Sequence, residues 1–142
     1  MSNKAISLVL GSGGARGLAH VGVIRWLEEN GHEIRSISGC SIGSLIGGAH
    51  AAGKLDAVVE WMESFTKKEI YSMLDLSFTW NSLVKGDKMM AAIQSKIGTD
   101  LIEDLPIKFT AVAADIAAEK EHWFQSGPID QAIRASVSLP LF

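Results

Sequence analysis

The 142-residue sequence has a single cysteine, Cys40, so no internal disulfide can form, and this fits a reducing compartment. The sequence also lacks any run of about 20 apolar residues, the length that a membrane-spanning helix requires. The apolar stretch before Gly11 is too short for a signal peptide. We therefore expect a cytoplasmic protein, for which peripheral contact with a membrane surface stays open.

Positive charge is scarce as well. The formal net charge is −3, and the longest run of basic residues is Lys67-Lys68. A protein that binds nucleic acid through its charge needs a basic patch, so we expect no nucleic-acid partner. The apolar fraction of 47% is typical of a folded domain. No repeat, low-complexity stretch or linker divides the chain, and we predict that residues 1–142 belong to one domain.

The spacing of apolar residues predicts alternating strands and helices. The predicted strands are 5–10, 34–40, 107–114 and 119–124, and the predicted helices are 18–29, 42–52, 55–67, 86–97 and 128–136. A glycine-containing turn and a helix follow each of the first two strands, which is typical of an α/β fold with a parallel sheet. The segment 70–83 is ambiguous, and its large apolar side chains suggest a lid or cap over a pocket.

The second of these turns contains Gly39-Cys40-Ser41-Ile42-Gly43. The pattern Gly-x-Ser-x-Gly between a strand and a helix is that of a nucleophile elbow, in which a sharp turn exposes the serine and the glycines remove colliding side chains. The following helix directs its positive end at Ser41. We predict that Ser41 is a nucleophile. The alternative is a turn of small residues that packs a helix against the sheet.

The first turn, Gly11 to Gly17, has three candidate functions: binding a dinucleotide, binding a phosphate, or forming an oxyanion hole. The dinucleotide function requires a carboxylate at the end of the second strand, and phosphate binding of the Walker type requires Gly-Lys-Ser/Thr; both are missing. An oxyanion hole requires converging backbone amides. The predicted donors are Gly13, Gly14 and Ala15, and Arg16 would add positive charge or brace the loop.

No histidine is well placed to act as the base of a serine triad. His50 lies too far along the helix that follows Ser41, and His122 is predicted to be a surface residue of a hairpin. His20 is interpreted as a packing or hydrogen-bonding residue. Asp115 follows a strand, and the sequence leaves open whether it belongs to a site or to a turn.

Four segments together resemble patatin-like phospholipases, in particular the bacterial group. Their order and spacing match over essentially the whole chain. The four segments are the opening Leu8 to Ile24, the elbow Gly39 to Ser44, the pair Ala114-Asp115, and the block Arg134 to Phe142 that resembles the stretch before the family's catalytic aspartate.

The resemblance implies a three-layer α/β/α fold with a mainly parallel sheet, of which residues 1–142 would be the N-terminal part, incomplete at the C-terminus. It implies a Ser-Asp dyad with Ser41 as nucleophile, an oxyanion hole at 13–16, and hydrolysis of lipid acyl esters without a metal or other cofactor. The family's aspartate lies in an Asp-Gly-Gly/Ala motif. This sequence has no Asp-Gly pair, so we expect the base beyond Phe142 and weak or no activity from these residues alone.

Two further expectations concern single positions. Ser12 stands where the family usually has glycine, which is acceptable if that position needs no positive φ. Asp130 is interpreted as a capping residue of the helix predicted at 128–136.

Other functions stay open at this point. One is an acyltransferase that uses the same serine with a distant histidine, and another is a non-catalytic fragment that binds a lipid or partner through 70–83. Nucleotide binding is a more distant alternative. An exposed sheet edge would also permit a homo-oligomer.

Overall fold

The computed structural model describes residues 4–74 and 82–138, and for 71–74 and 82–86 it describes the backbone alone. The helices and strands in chain order are β1 Ala5–Leu10, α1 Ala19–Glu29, β2 Glu33–Cys40, α2 Ile42–Ala51, α3 Leu55–Glu63, α4 Lys67–Leu74, α5 Ser82–Ile97, β3 Lys108–Asp115, β4 Lys120–Phe124 and α6 Ile129–Val137. Two short 3₁₀ helices cover Gly14–Leu18 and Ile102–Asp104. None of the described helices is long and apolar enough to cross a membrane.

The strands form one sheet in the order β1-β2-β3-β4. The first three are parallel, and β4 runs antiparallel to β3 as the second arm of a hairpin. Leu10 lies opposite Gly39, and Cys40 lies opposite Val112. The predicted α/β fold with a mainly parallel sheet is confirmed, and the turns after β1 and β2 emerge at the same edge of the sheet.

One face of this sheet carries the core. Leu10, Ile37 and Phe109 are at most 3% exposed and belong to one apolar cluster with residues of α1, α2, α3, α5 and α6. On the opposite face of β1, Val9 is 78% exposed, and β1 is an edge strand among the described residues. Among the described residues, helices therefore cover the sheet on the side of Leu10, and Val9 is exposed on the other side.

Helix α2 lies unusually close to the sheet because it contains glycines where it meets the strands. A Cβ atom at Gly47 would lie 2.7 Å from Cγ2 of Ile37 on β2, and one at Gly48 would lie 3.1 Å from Cζ of Phe109 on β3. All residues of α2 except His50 are buried.

The helix predicted over 55–67 is shorter in the structure, because α3 ends at Glu63 and α4 begins at Lys67. Thr66 and Glu69 form a capping box at this break: the Thr66 amide donates to Glu69 Oε2 at 2.8 Å, and the Glu69 amide donates to Thr66 Oγ1 at 3.3 Å. The hydrogen bonds that the Thr66 amide and the Thr66 hydroxyl donate to the Glu69 carboxylate lower the pKa of Glu69 below its ordinary value. Of the ambiguous segment 70–83, residues 75–81 lie outside the described residues.

The interpretation of Asp130 as a capping residue is wrong. The residue that precedes α6 is Pro128, and Asp130 lies buried in the first turn of that helix. Its carboxylate Oδ2 accepts a hydrogen bond from Gln94 Nε2 at 2.8 Å, so the side chain connects α6 to α5.

Candidate active site

The turn after β2 has the strained geometry of an elbow. Ser41 has φ 55° and ψ −124°, a conformation that is rare for any residue with a side chain. A Cβ atom at Gly43 would overlap the carbonyl oxygen of Leu10, and one at Gly39 would lie 2.5 Å from the carbonyl carbon of Gly43. Both flanking glycines are therefore required sterically.

The backbone of Ser41 is held from both sides. Its N–H donates to Ser136 Oγ at 2.9 Å, and Ser136 Oγ in turn donates to the carbonyl oxygen of Val112 at 2.7 Å. The Ser44 hydroxyl donates to the carbonyl oxygen of Ser41 at 2.7 Å. Within residues 4–74 and 82–138, Oγ of Ser41 has no hydrogen-bond partner, so this hydroxyl stays available at the end of β2.

The glycine turn after β1 packs directly on the elbow. Gly17 lies against Ile42, where a Cβ atom would be only 2.9 Å from Cγ1 and would overlap Cγ2. The Ser12 hydroxyl donates to Cys40 Sγ at 3.4 Å and connects the two turns. Nε2 of His20 lies 2.9 Å from the Gly11 carbonyl oxygen, so His20 is a hydrogen-bonding residue, as predicted.

The glycine turn contains the 3₁₀ helix Gly14–Leu18, at whose start the predicted oxyanion donors lie. Gly14 has φ 52°, which favours glycine, whereas Ser12 is not among the described residues with positive φ. Amides in the first turn of a helix have no partner within it. The Arg16 amide, by contrast, donates to the carbonyl oxygen of Gly13 at 3.1 Å. The oxyanion role of 13–16 stays a prediction in which Arg16 contributes through its side chain.

The remaining polar candidates have other roles in the described part of the chain. Asp115 Oδ1 accepts a hydrogen bond from the Ala118 amide at 3.0 Å, so this side chain stabilises the turn between β3 and β4. His122 is exposed on β4, and Nε2 of His50 lies 3.0 Å from Oε1 of Glu28. No group of three or more metal-ligating side chains occurs among the described residues.

An apolar cavity borders α2 one turn after the elbow. The Leu45 amide donates to the carbonyl oxygen of Ser41 at 3.2 Å, and the Leu45 side chain forms part of the cavity wall. The lining described is entirely apolar and comes from α2, α3, α4, α5 and the α3–α4 loop: Leu45, Trp61, Met62, Phe65, Ile70, Met89 and Ile93. The backbone of α4 also approaches the 3₁₀ helix of the glycine turn.

A strained serine between a parallel strand and a helix is the elbow geometry that α/β hydrolases use. Residues 8–142 match the patatin-like phospholipases, and the chain belongs to this family. It is 47% identical over 139 residues to an uncharacterized NTE family protein of Mycobacterium tuberculosis. It is 40% identical over 147 residues to a patatin-like phospholipase domain-containing protein of Caenorhabditis elegans, and 37% identical over 146 residues to a lysophospholipase of Emericella nidulans.

These matches cover 98% of the chain in each case, but only part of each relative. The chain spans 39% of the mycobacterial protein, 11% of the nematode protein and 9% of the fungal protein.

Proposed function

We propose that this protein is a serine lipid acyl hydrolase of the phospholipase or esterase type, in which Ser41 is the nucleophile. The observation that carries the proposal is the backbone conformation of Ser41, with φ 55° at the junction of β2 and α2 beside the glycine turn. Such strain persists only where the surrounding structure enforces it, and it is concentrated at functional sites.

In the proposed reaction, Oγ of Ser41 attacks the carbonyl carbon of an acyl ester, and its proton passes to a carboxylate. Amides of the glycine turn at Gly13, Gly14 and Ala15 stabilise the negative charge on the former carbonyl oxygen. The alcohol leaves with a proton, and water then releases the fatty acid from the acyl-enzyme. The carboxylate is the aspartate that the family resemblance implies beyond Phe142, which completes a Ser-Asp dyad without a metal.

The proposed substrate is a lipid with at least one hydrocarbon chain. The apolar cavity beside α2 places apolar surface one turn after the elbow, at Leu45, but its volume of about 10 Å³ is too small to hold the chain itself. Two fungal relatives are named lysophospholipases, which favours a lipid with a single acyl chain. Because such lipids lie at membrane surfaces, the proposal includes peripheral contact with a membrane.

The test uses the full-length protein with p-nitrophenyl esters of increasing chain length and with lysophospholipid. We expect Ser41→Ala to lower the rate of hydrolysis by at least about 10³-fold and to abolish labelling by a fluorophosphonate. The matched control is Ser95→Ala, an exposed serine of α5 whose hydroxyl donates to the Ala92 carbonyl oxygen, and it should leave the rate unchanged.

Wild-type hydrolysis by Ser41→Ala would refute the proposal. Transfer of the acyl group to an added alcohol or thiol in preference to water would instead assign the same serine to an acyltransferase.

A further inference from the structure

Ser136 lies at the far end of α6 and reaches the elbow from a distant part of the chain. Its hydroxyl accepts the Ser41 N–H at 2.9 Å across 95 residues of sequence, and it donates to the Val112 carbonyl oxygen at 2.7 Å. Both contacts are partly buried. A hydroxyl can donate one hydrogen bond and accept another at the same time, so one side chain satisfies both backbone groups.

The Ser41 conformation creates the need for this hydroxyl. The pairing of β2 with β3 ends at Cys40 opposite Val112, and the chain leaves the sheet at the positive φ of Ser41. The Ser41 N–H binds Ser136 Oγ and not a backbone acceptor of β3. Without Ser136, a partly buried donor and a partly buried acceptor would lose their partner together, which is costly. The bond to Ser136 therefore favours the strained conformation over a relaxed one.

We propose that Ser136 is a positioning residue that holds the nucleophile elbow in its reactive conformation. Because the Ser41 N–H donates to the Ser136 hydroxyl, this N–H is not available to bind the oxyanion. The charge is left to amides of the glycine turn and to the Ile42 amide, which begins α2 and has no acceptor within the helix. The inference rests on the proposed role of Ser41 as nucleophile.

The contact is separate from the contacts that hold α6 in place. Ile133 packs on Gly48 of α2, Asp130 binds Gln94 of α5, and the Arg134 guanidinium lies 2.6 Å from the Asp87 carboxylate. These contacts do not involve the Ser136 hydroxyl. Loss of that hydroxyl should relax the elbow while α6 stays docked.

The test compares variants of the full-length protein in ester hydrolysis. We expect Ser136→Ala to lower kcat by about 10-fold to 100-fold with KM changed less than about twofold, because the loss falls on the geometry of attack and not on lipid binding. The rate of fluorophosphonate labelling of Ser41 should fall in parallel. The pH dependence of kcat should keep its midpoint, because the base is unchanged.

Two further variants separate the effect of the hydroxyl's hydrogen bonds from the effect of side-chain size. Ser136→Thr keeps the hydroxyl and should retain most of the rate, while Ser136→Cys has a similar size but a weak hydrogen-bonding group and should lose most of it. Arg134→Ala on the same helix removes an exposed ion pair and should behave like the wild type. Hydrogen exchange of the peptide that contains Ser41 should be faster in Ser136→Cys than in Ser136→Thr.

The outcomes distinguish this inference from the proposed function. If Ser136→Cys retains wild-type kcat and labelling while Ser41→Ala is inactive, Ser136 has no positioning role and the nucleophile assignment stands. Wild-type kcat and labelling in Ser136→Cys overturn the inference even where Ser136→Ala does not fold and cannot be assayed. If Ser41→Ala itself retains activity, the proposed function fails first.

Discussion

The candidate site is formed by two glycine-rich turns, the elbow after β2 and the glycine turn after β1, which need their glycines for different reasons. Both join a parallel strand to a helix at the same sheet edge, and both are rich in glycine. In the elbow, glycines are required because backbone atoms occupy the space of a side chain, as at Gly43 against Leu10. In the turn after β1, no atom lies within 4 Å of a Cβ placed at Gly11, and Gly14 is instead required for its φ of 52°; Gly17, at the end of the turn, is packed against the Ile42 side chain and not against backbone.

This difference explains which departures from the family pattern the chain tolerates. Ser12 occupies a position in the glycine turn that is exposed and needs no positive φ, and its hydroxyl finds a partner in Cys40. The elbow has no comparable room at Gly39 or Gly43. The elbow is fixed by close backbone packing together with the hydrogen bonds of Ser136 and Ser44 to Ser41, whereas the first part of the glycine turn depends on local conformation and a few hydrogen bonds.

The largest expected effect is that of Gly43→Ala. Its Cβ atom would overlap the Leu10 carbonyl oxygen, and neither backbone can move without disturbing β1 or α2. We expect a loss of at least about 3 kcal/mol in the free energy of unfolding, measured by denaturant titration of the full-length protein. Gly11→Ala is the matched control and should change that free energy by less than about 0.5 kcal/mol. Equal stability of the two variants would remove the contrast between the turns.

A smaller effect is expected for Gly14→Ala in the glycine turn. The left-handed conformation costs a residue with a Cβ atom about 1–2 kcal/mol, and the same titration would measure this loss. Gly14→Asn should lose less, because asparagine adopts this conformation more readily. If the alanine variant were as unstable as Gly43→Ala, the turn would be packed as tightly as the elbow.

The smallest effect is expected for His20→Ala, which removes the side chain bonded to the Gly11 carbonyl oxygen. A single neutral hydrogen bond contributes about 0.5–1.5 kcal/mol, so the stability should fall by that amount. Because this bond orients the turn proposed to stabilise the oxyanion, the rate of ester hydrolysis should also fall. His20→Gln keeps a donor on a side chain of similar length and should recover part of both. An unchanged rate for His20→Ala would show that the turn needs no such support.

The sequence predicts the elements of this site better than the contacts between them. The strands before both turns are predicted within one residue of their observed bounds, because apolar runs that end in glycine are a local signal. The contact of Ser136 with Ser41 has no such signal, since it joins residues 95 positions apart. The break between α3 and α4 has a local sequence signal, the capping box from Thr66 to Glu69. The apolar spacing that continues to Phe65 predicts an unbroken helix instead.

The glycines at 47 and 48 have a consequence for the reacting hydroxyl itself. They let the backbone of α2 pack directly against the side chains of Ile37 and Phe109. Helix α2 begins immediately after Ser41. A methyl group at Gly47, about 9 Å further along the helix, would lift α2 and tilt its first turn away from the neighbouring glycine turn. The placement of Ser41 at the strand ends therefore depends on two buried glycines that lie more than a helical turn away from the reacting hydroxyl.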